Sequence, residues 1–398
     1  MILNVFQSRL APTFYETINI SSIQTMSVGI TRRKTRQIHV GNVPVGGGAP
    51  ISVQSMTNTF TDDVPSTVAQ IKRLEAAGCE IIRAAVPDMA AAGAIGRIKA
   101  QIAIPLIADI HFDVKLAIAA MASGADAIRI NPGNIGGKNR IRQVVDAARD
   151  HDIAIRIGVN SGSLEKDRLE KHGGPTAGAL VESALNHVDL LGSLGFERVK
   201  VSLKSSNVPE TIAACRLFSE KSDVPIHLGV TEAGGLYPGI VKSAVGIGSL
   251  LLGGIGDTLR VSLTRDPVEE VRVGYEILKS LDIRRRGPDI ISCPTCGRCE
   301  IDLFSILEDV EKALLTMTAP VKVAIMGCVV NGPGEAKTAD VGIAGGRDSG
   351  ILFKKGRIVE KLPQERLVEA LLAAVAEIEK EKFGEFPRIP SQQPDTLF

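Results

Sequence analysis

PLIADIHFDVKLAIAAMASGADAIRIN, residues 105–131, reads as one strand, one helix and one further strand. The apolar run 105–110 meets charge at Asp109 and His111. A helix is predicted over 114–122, and Gly124 stands where a helix-ending glycine belongs. A second apolar run, 125–131, then carries Arg129 and Asn131 near its end. Neither run alternates polar with apolar, which is the pattern of parallel strands buried on both faces.

Working outward, the same unit recurs. Strands are predicted at 51–56, 80–86, 105–110, 125–131, 153–160, 198–205, 225–232 and 257–264. Helical periods lie between them at 64–77 (apolar at Val68, Ile71 and Leu74), 114–122, 141–150, 176–194, 209–220, 238–252 and 268–281. Gly78 and Gly195 repeat the helix-ending role of Gly124. Eight such units predict an α/β fold of the (β/α)8 TIM-barrel type over 33–281. A doubly wound open sheet is the alternative, although it seldom needs eight evenly spaced units.

Composition narrows the function. The 398 residues hold 46 Lys and Arg against 45 Asp and Glu, a formal net charge of +1. That balance excludes a bulk nucleic-acid binder steered by excess positive charge. Aromatics are 4% and Trp is absent, so stacking platforms for single strands are not expected. No run reaches the roughly 18 apolar residues of a membrane span; the nearest, 240–255, carries Lys242. Six cysteines are too few for a disulfide scaffold and point to a reducing, cytoplasmic setting. Of these, Cys79 and Cys215 stand alone in strand or helix patterns and read as inert core residues.

The flanks of the barrel also have a reading. Residues 1–32 are Ser/Thr-rich with a single acid, Glu16, and read as an extension, with Met26 an alternative start. Residues 37–45, QIHVGNVPV, read as a hairpin turning at Gly41-Asn42 that plugs the barrel bottom. The triplet Gly46-Gly47-Gly48 lacks the Lys-Ser/Thr of a phosphate loop and reads as a flexible turn. Residues 282–292 form a charged Gly-Pro hinge, and 293–385 a smaller α+β domain. In that domain a strand is predicted at 321–326, a hairpin around 350–359 and an amphipathic helix over 364–380. The Pro/Gln-rich tail 386–398 reads as disordered.

Barrel enzymes work at the C-terminal ends of their strands. Those ends here carry Arg83, Asp109, His111, Arg129, Arg156, Asn160, Lys204, Glu232 and Arg260. A charge inside an apolar run is costly unless it is paired or faces a wet mouth. Mutual pairing could satisfy one or two. Five cations against Asp109 and Glu232 leave positive charge over, which calls for a polyanionic ligand, and phosphate is the usual partner of Arg forks. Asp109 and Glu232 are then free for proton transfer or hydroxyl binding.

The second chemical signature is Cys293-Pro-Thr-Cys296-Gly-Arg-Cys299, followed by Gly327-Cys328 and a Gly-rich turn to Glu335. Structural zinc is the ordinary reading of such a set. The C-x2-C-x2-C run and the tight Pro/Gly turns favour an iron–sulfur cluster. Cys293, Cys296 and Cys328 are the firm ligands, and either Cys299 or Glu335 is the fourth.

Together VQSMT (53–57), ADIHF (108–112), RINPGNIG (129–136), RIGVNSGSL (156–164), KVSLKSS (200–206), HLGVTEAGG (227–235), GIGDTLRVSLT (254–264), SCPTCGR (292–298) and GCVVNGPGEA (327–336) resemble the 4-hydroxy-3-methylbut-2-enyl diphosphate synthase family, the iron–sulfur enzymes of the non-mevalonate isoprenoid pathway. The resemblance runs over residues 33–380 and is to the two-domain bacterial form, without the large insertion of the plant type. It implies two-electron reductive ring opening of 2-C-methyl-D-erythritol 2,4-cyclodiphosphate, with reduced flavodoxin or ferredoxin as donor. It also implies one 4Fe–4S cluster per subunit on Cys293, Cys296, Cys328 and Glu335, in a head-to-tail homodimer. Arg83, Arg129, Arg156, Asn160 and Lys204 are the implied substrate binders and Glu232 the implied proton source. Asp109, His111 and Arg260 lie in matching motifs. Cys299 departs from the family pattern and competes with Glu335. The rival reading is a phosphate- and pterin-binding barrel transferase with a structural zinc domain.

Overall fold

The computed structural model describes residues 29–328, 334, 336–347 and 349–384. Most of the N-terminal extension, the tail and Glu335 therefore lie outside the described residues. A two-stranded hairpin comes first, β1 (Ile38–Val40) and β2 (Val43–Val45), with Ile38 opposite Val45. Its turn falls at Gly41, whose φ of 55° is the left-handed conformation that glycine adopts without penalty.

Eight parallel strands follow: β3 (Ser52–Met56), β4 (Ile81–Ala85), β5 (Leu106–Asp109), β6 (Ala127–Ile130), β7 (Ala154–Asn160), β8 (Val199–Lys204), β9 (His227–Leu228) and β10 (Thr258–Leu259). Their hydrogen-bonded order is β8-β7-β6-β5-β4-β3-β10-β9. A parallel bridge between Val201 and Ile226 joins β8 to β9, with Val201 N donating to Pro225 O at 2.9 Å, and this closes the barrel. The last two strands are two residues each, shorter than the apolar runs predict. At Gly229 the chain leaves the ladder where a Cβ would lie 2.6 Å from Arg260 O. The helix Met89–Lys99 completes the outer ring. Its Ala/Gly-rich sequence hides the helical period, yet Asp88 caps it by accepting from Ala91 N.

The barrel interior is layered. Ile81, Ile107, Ala127 and Ala154 form the lowest layer, and Ile38, Val40 and Val45 of the hairpin pack into it. The predicted plug is therefore present, and the bottom is apolar and shut. The main core lies between the strands and their helices. It includes Cys79 and Cys215, whose thiols burial pushes up to about 12, so both are inert.

The C-terminal unit is a mixed five-stranded sheet ordered β11 (Asp289–Ser292), β12 (Lys322–Met326), β13 (Val341–Gly346), β14 (Ser349–Lys354) and β15 (Arg357–Leu362). Helices Leu303–Leu314 and Leu367–Phe383 cover it with a separate apolar core. The last four residues of the predicted hinge thus belong to this sheet. Of the remainder, Arg284 grips Glu80 with two hydrogen bonds of 2.8 and 3.0 Å. Arg286 donates to Ala76 O at 3.0 Å and lies over the Tyr275 ring. No helix among the described residues is long and apolar enough to cross a membrane.

The plug makes a stability prediction. Ile38→Ala leaves a cavity against Ile81 and Ile107 and should cost about 2–4 kcal/mol, read as a lower urea midpoint. An unchanged midpoint would mean that the hairpin does not support the barrel.

Candidate active site

The register of the strands gathers the predicted charges. Asp109 on β5 stands opposite Arg129 on β6, and Arg129 stands opposite Arg156 on β7. Asp109 is the hub. Its carboxylate accepts from Arg129 Nη1 at 3.2 Å and lies 3.7 Å from both Arg83 Nε and His111 Nε2. Burial alone would raise this carboxyl. Arg83, the nearby His111, Arg129 and Arg156 outweigh it and hold Asp109 well below the usual carboxylate range. Asp109 is therefore an anion that orders cations rather than an acid that gives a proton near neutrality.

Two glycines make room for the cations. A Cβ on Gly158 would lie 2.2 Å from Arg129 Nε, and one on Gly229 would lie 2.4 Å from Lys204 Nζ. Arg129 Nη2 also donates to Gly158 O at 3.3 Å. These contacts explain the glycine within β7 and the one just past β9.

Arg260 is held differently from its neighbours. Glu270, on helix Pro267–Ser280, accepts from its Nε and Nη2 in a bidentate pair at 3.0 Å each. Glu270 also accepts from Ser55 Oγ and Leu263 N. The sequence reading missed Glu270 because it sits on an ordinary amphipathic helix, although its partner Arg260 lies only ten residues upstream. With Asp109 and Glu270 engaged, neither Arg156 nor Lys204 forms an ion pair among the described residues. Arg156 is 2% exposed, and its Nε and Nη1 have no partner among them. Burial, then Arg83 and Arg129, push Arg156 well below its ordinary value. Burial, then Arg156 and Arg83, do the same to Lys204.

The rim carries the rest. Asn160 ends β7, half-buried and opposite Lys204 in register. His111 is exposed, with Arg129 Nη1 3.2 Å from its Nε2. Glu232 is exposed and holds φ at 51°, a left-handed conformation costing a non-glycine residue about 1–3 kcal/mol. The fold thus strains its backbone at an exposed carboxylate. Beneath the mouth lie three buried polar residues that the sequence reading did not single out: Lys200, His227 and Gln54.

The cysteines lie where the C-terminal sheet gives way to loops. Cys293 directly follows β11, and its sulfur accepts from Gly327 N at 3.2 Å, the kind of backbone bond that stabilises a ligating thiolate. Cys296 is exposed, and hydrogen bonds from the Arg298 backbone and side chain lower its thiol below the ordinary range. Cys299 packs against Gly327, where a Cβ would come within 2.5 Å of its sulfur, and its thiol donates to Ile301 O at 3.3 Å. Cys328 is half-buried. Among the described residues, no three His, Cys, Asp or Glu side chains converge on one metal position. The donor set nevertheless fits an iron–sulfur group: free thiols, one already accepting a backbone N–H, one disposed to ionise, and a glycine at the point of closest approach.

Comparison with known proteins accords with both halves. Residues 35–275 match the GcpE TIM-barrel domain, and residues 289–377 match the GcpE protein C-terminal domain. A Geobacter sulfurreducens protein named 4-hydroxy-3-methylbut-2-en-1-yl diphosphate synthase (flavodoxin) is 60% identical over 351 residues, covering 88% of this chain and 99% of that one. A Desulfotalea psychrophila protein of the same name is 59% identical over 355 residues, covering 88% and 98%. Among solved structures, Yersinia pestis dihydropteroate synthase covers 62% of this chain and 98% of its own, at 11% identity and a TM-score of 0.46. Two domains matched end to end, and relatives this similar over nearly their whole length, place the chain in the GcpE family.

Proposed function

We propose that the chain reductively opens 2-C-methyl-D-erythritol 2,4-cyclodiphosphate, consuming two electrons and releasing 4-hydroxy-3-methylbut-2-enyl diphosphate and water. The observation that carries this reading is the uncompensated positive charge of the barrel mouth. Arg156 and Lys204 are buried without a carboxylate, and a diphosphate supplies the missing anion. A pterin transferase with a zinc staple is not retained, because the family relatives carry the synthase name.

In this reading Arg83, Arg129, Arg156, Asn160 and Lys204 bind the diphosphate, and Asp109 keeps Arg83 and Arg129 aimed at it. Arg260, fixed by Glu270, sets the wall of the site, and His111 adds a donor at the rim. Glu232 gives the proton that lets the hydroxyl leave as water. Cys293, Cys296, Cys328 and Glu335 would hold a 4Fe–4S cluster, one per subunit, which supplies electrons singly from reduced flavodoxin or ferredoxin. Cys299 is the weaker candidate for the fourth position, because its thiol is engaged as a donor to Ile301 O. A head-to-tail homodimer would set the cluster domain of one subunit over the barrel of the other. The segments after β3, β4 and β5 support this, since they leave exposed Phe60 and Phe112 in loops and Met89 at the first turn of a helix.

Three measurements test the roles. Arg156→Ala should raise KM about 10- to 100-fold while leaving iron and sulfide content intact; lost cluster with unchanged KM would remove it from the substrate site. Glu232→Gln should lower kcat about 10²- to 10⁴-fold, and Glu335→Ala should abolish most turnover. Full turnover by both variants with a reduced donor would refute the mechanism. Gly158→Ala displaces Arg129 and should cost about 10- to 100-fold in kcat/KM; wild-type kinetics would show that Arg129 does not need its present place.

A further inference from the structure

Below the mouth the barrel holds a second polar layer. Lys200 on β8 is opposite Arg156 on β7 in register and is 0% exposed. Among the described residues its Nζ has no hydrogen-bond partner. Both amide atoms of Gln54 on β3, and Nε2 of His227 on β9, are likewise buried and unpartnered, while His227 Nδ1 bonds Thr258 Oγ1 on β10. None of these buried groups is an anion. The charges acting on it are Arg156 from β7 and Arg83 from β4, and His227 from β9 is in turn affected by Lys200 and Lys204. The carboxylates of the mouth are committed elsewhere, Asp109 to Arg83 and Arg129, and Glu270 to Arg260.

An ammonium without an acceptor, in a dry interior beside two guanidinium groups, loses its proton readily. Burial, then Arg156 and Arg83, bring Lys200 down to about 7. A diphosphate docking on Arg156, Arg83 and Lys204 reverses the sign of the local field and restores the preference for the charged amine. We propose that Lys200 is a positioning residue that takes up one proton from solvent as the cyclodiphosphate binds, adding a cation beneath Arg156 only when the anion is present. This rests on the substrate reading given above. In the free enzyme the site then avoids stacking one more charge on an already crowded set of cations.

The ligand suits the test. Each phosphorus of a cyclic diphosphate bears one strongly acidic hydroxyl, so the ligand itself exchanges no proton near pH 8. The experiment is calorimetric titration of the cyclodiphosphate into the oxidised, cluster-loaded protein without reductant, at pH 8 in Tris and in HEPES. The dependence of the heat on buffer should report uptake approaching one proton per site. Kd should weaken by about tenfold per pH unit above neutrality. Lys200→Met should abolish both effects. Its folding is checked independently: the buried lysine destabilises the native chain below about pH 7, and this penalty fades as pH rises toward the ordinary lysine value of about 10. Lys200→Met should therefore melt higher than the parent at pH 7 and match it near pH 10. Binding without proton uptake by the parent protein overturns the inference and leaves the substrate reading standing. Uptake that survives Lys200→Met but is lost in Lys204→Met overturns it in favour of Lys204. No binding by the parent protein removes both.

Discussion

A surplus of positive charge enclosed in a low-dielectric barrel is the constraint on which the rest depends. Arg83, Arg129, Arg156, Lys204 and Arg260 come from β4, β6, β7, β8 and the end of β10, and all but Arg260 are buried. Like charges this close repel, and burial strengthens the repulsion. The fold answers with Asp109 between Arg83 and Arg129, Glu270 clamped on Arg260, and glycines that let the cations approach backbone. In the proposed reading, what remains uncompensated is directed at a ligand, and the stability given up there is recovered when an anion arrives.

Much of this was legible in the amino-acid sequence. Charges at the ends of apolar runs marked the mouth, because a cation in such a run is too costly to keep unless an anion meets it. The closed barrel, the bottom hairpin and the C-terminal hairpin and helix follow from periodicity and turn chemistry. Glu270 was not legible, since a glutamate on an amphipathic helix ordinarily faces water, and only the fold turns it back onto Arg260. Lys200 stood in plain view within KVSLKSS. Strand alternation puts it on the same inward face as Lys204, four residues on, but deeper than the strand end where charges mark a mouth.

The brevity of β9 and β10 has the same origin. Apolar composition predicts that a strand exists, but the packing of neighbours decides how far its ladder extends. Here Gly229 turns the chain aside to clear Lys204 and Arg260, so ordinary strand pairing yields to the site. The C-terminal unit shows the reverse case. The Gly-Pro segment that reads as a linker ends in β11, because DIIS finds a partner in KVAIM only after the chain has doubled back.

The hairpin beneath the barrel carries one more implication. With Ile38, Val40 and Val45 sealed against the lowest ring of strand side chains, the vessel opens at its top among the described residues. Ligand in, product out and each newly made water molecule must share that doorway. Anything parked across it sets the pace of emptying, irrespective of how fast bonds break within.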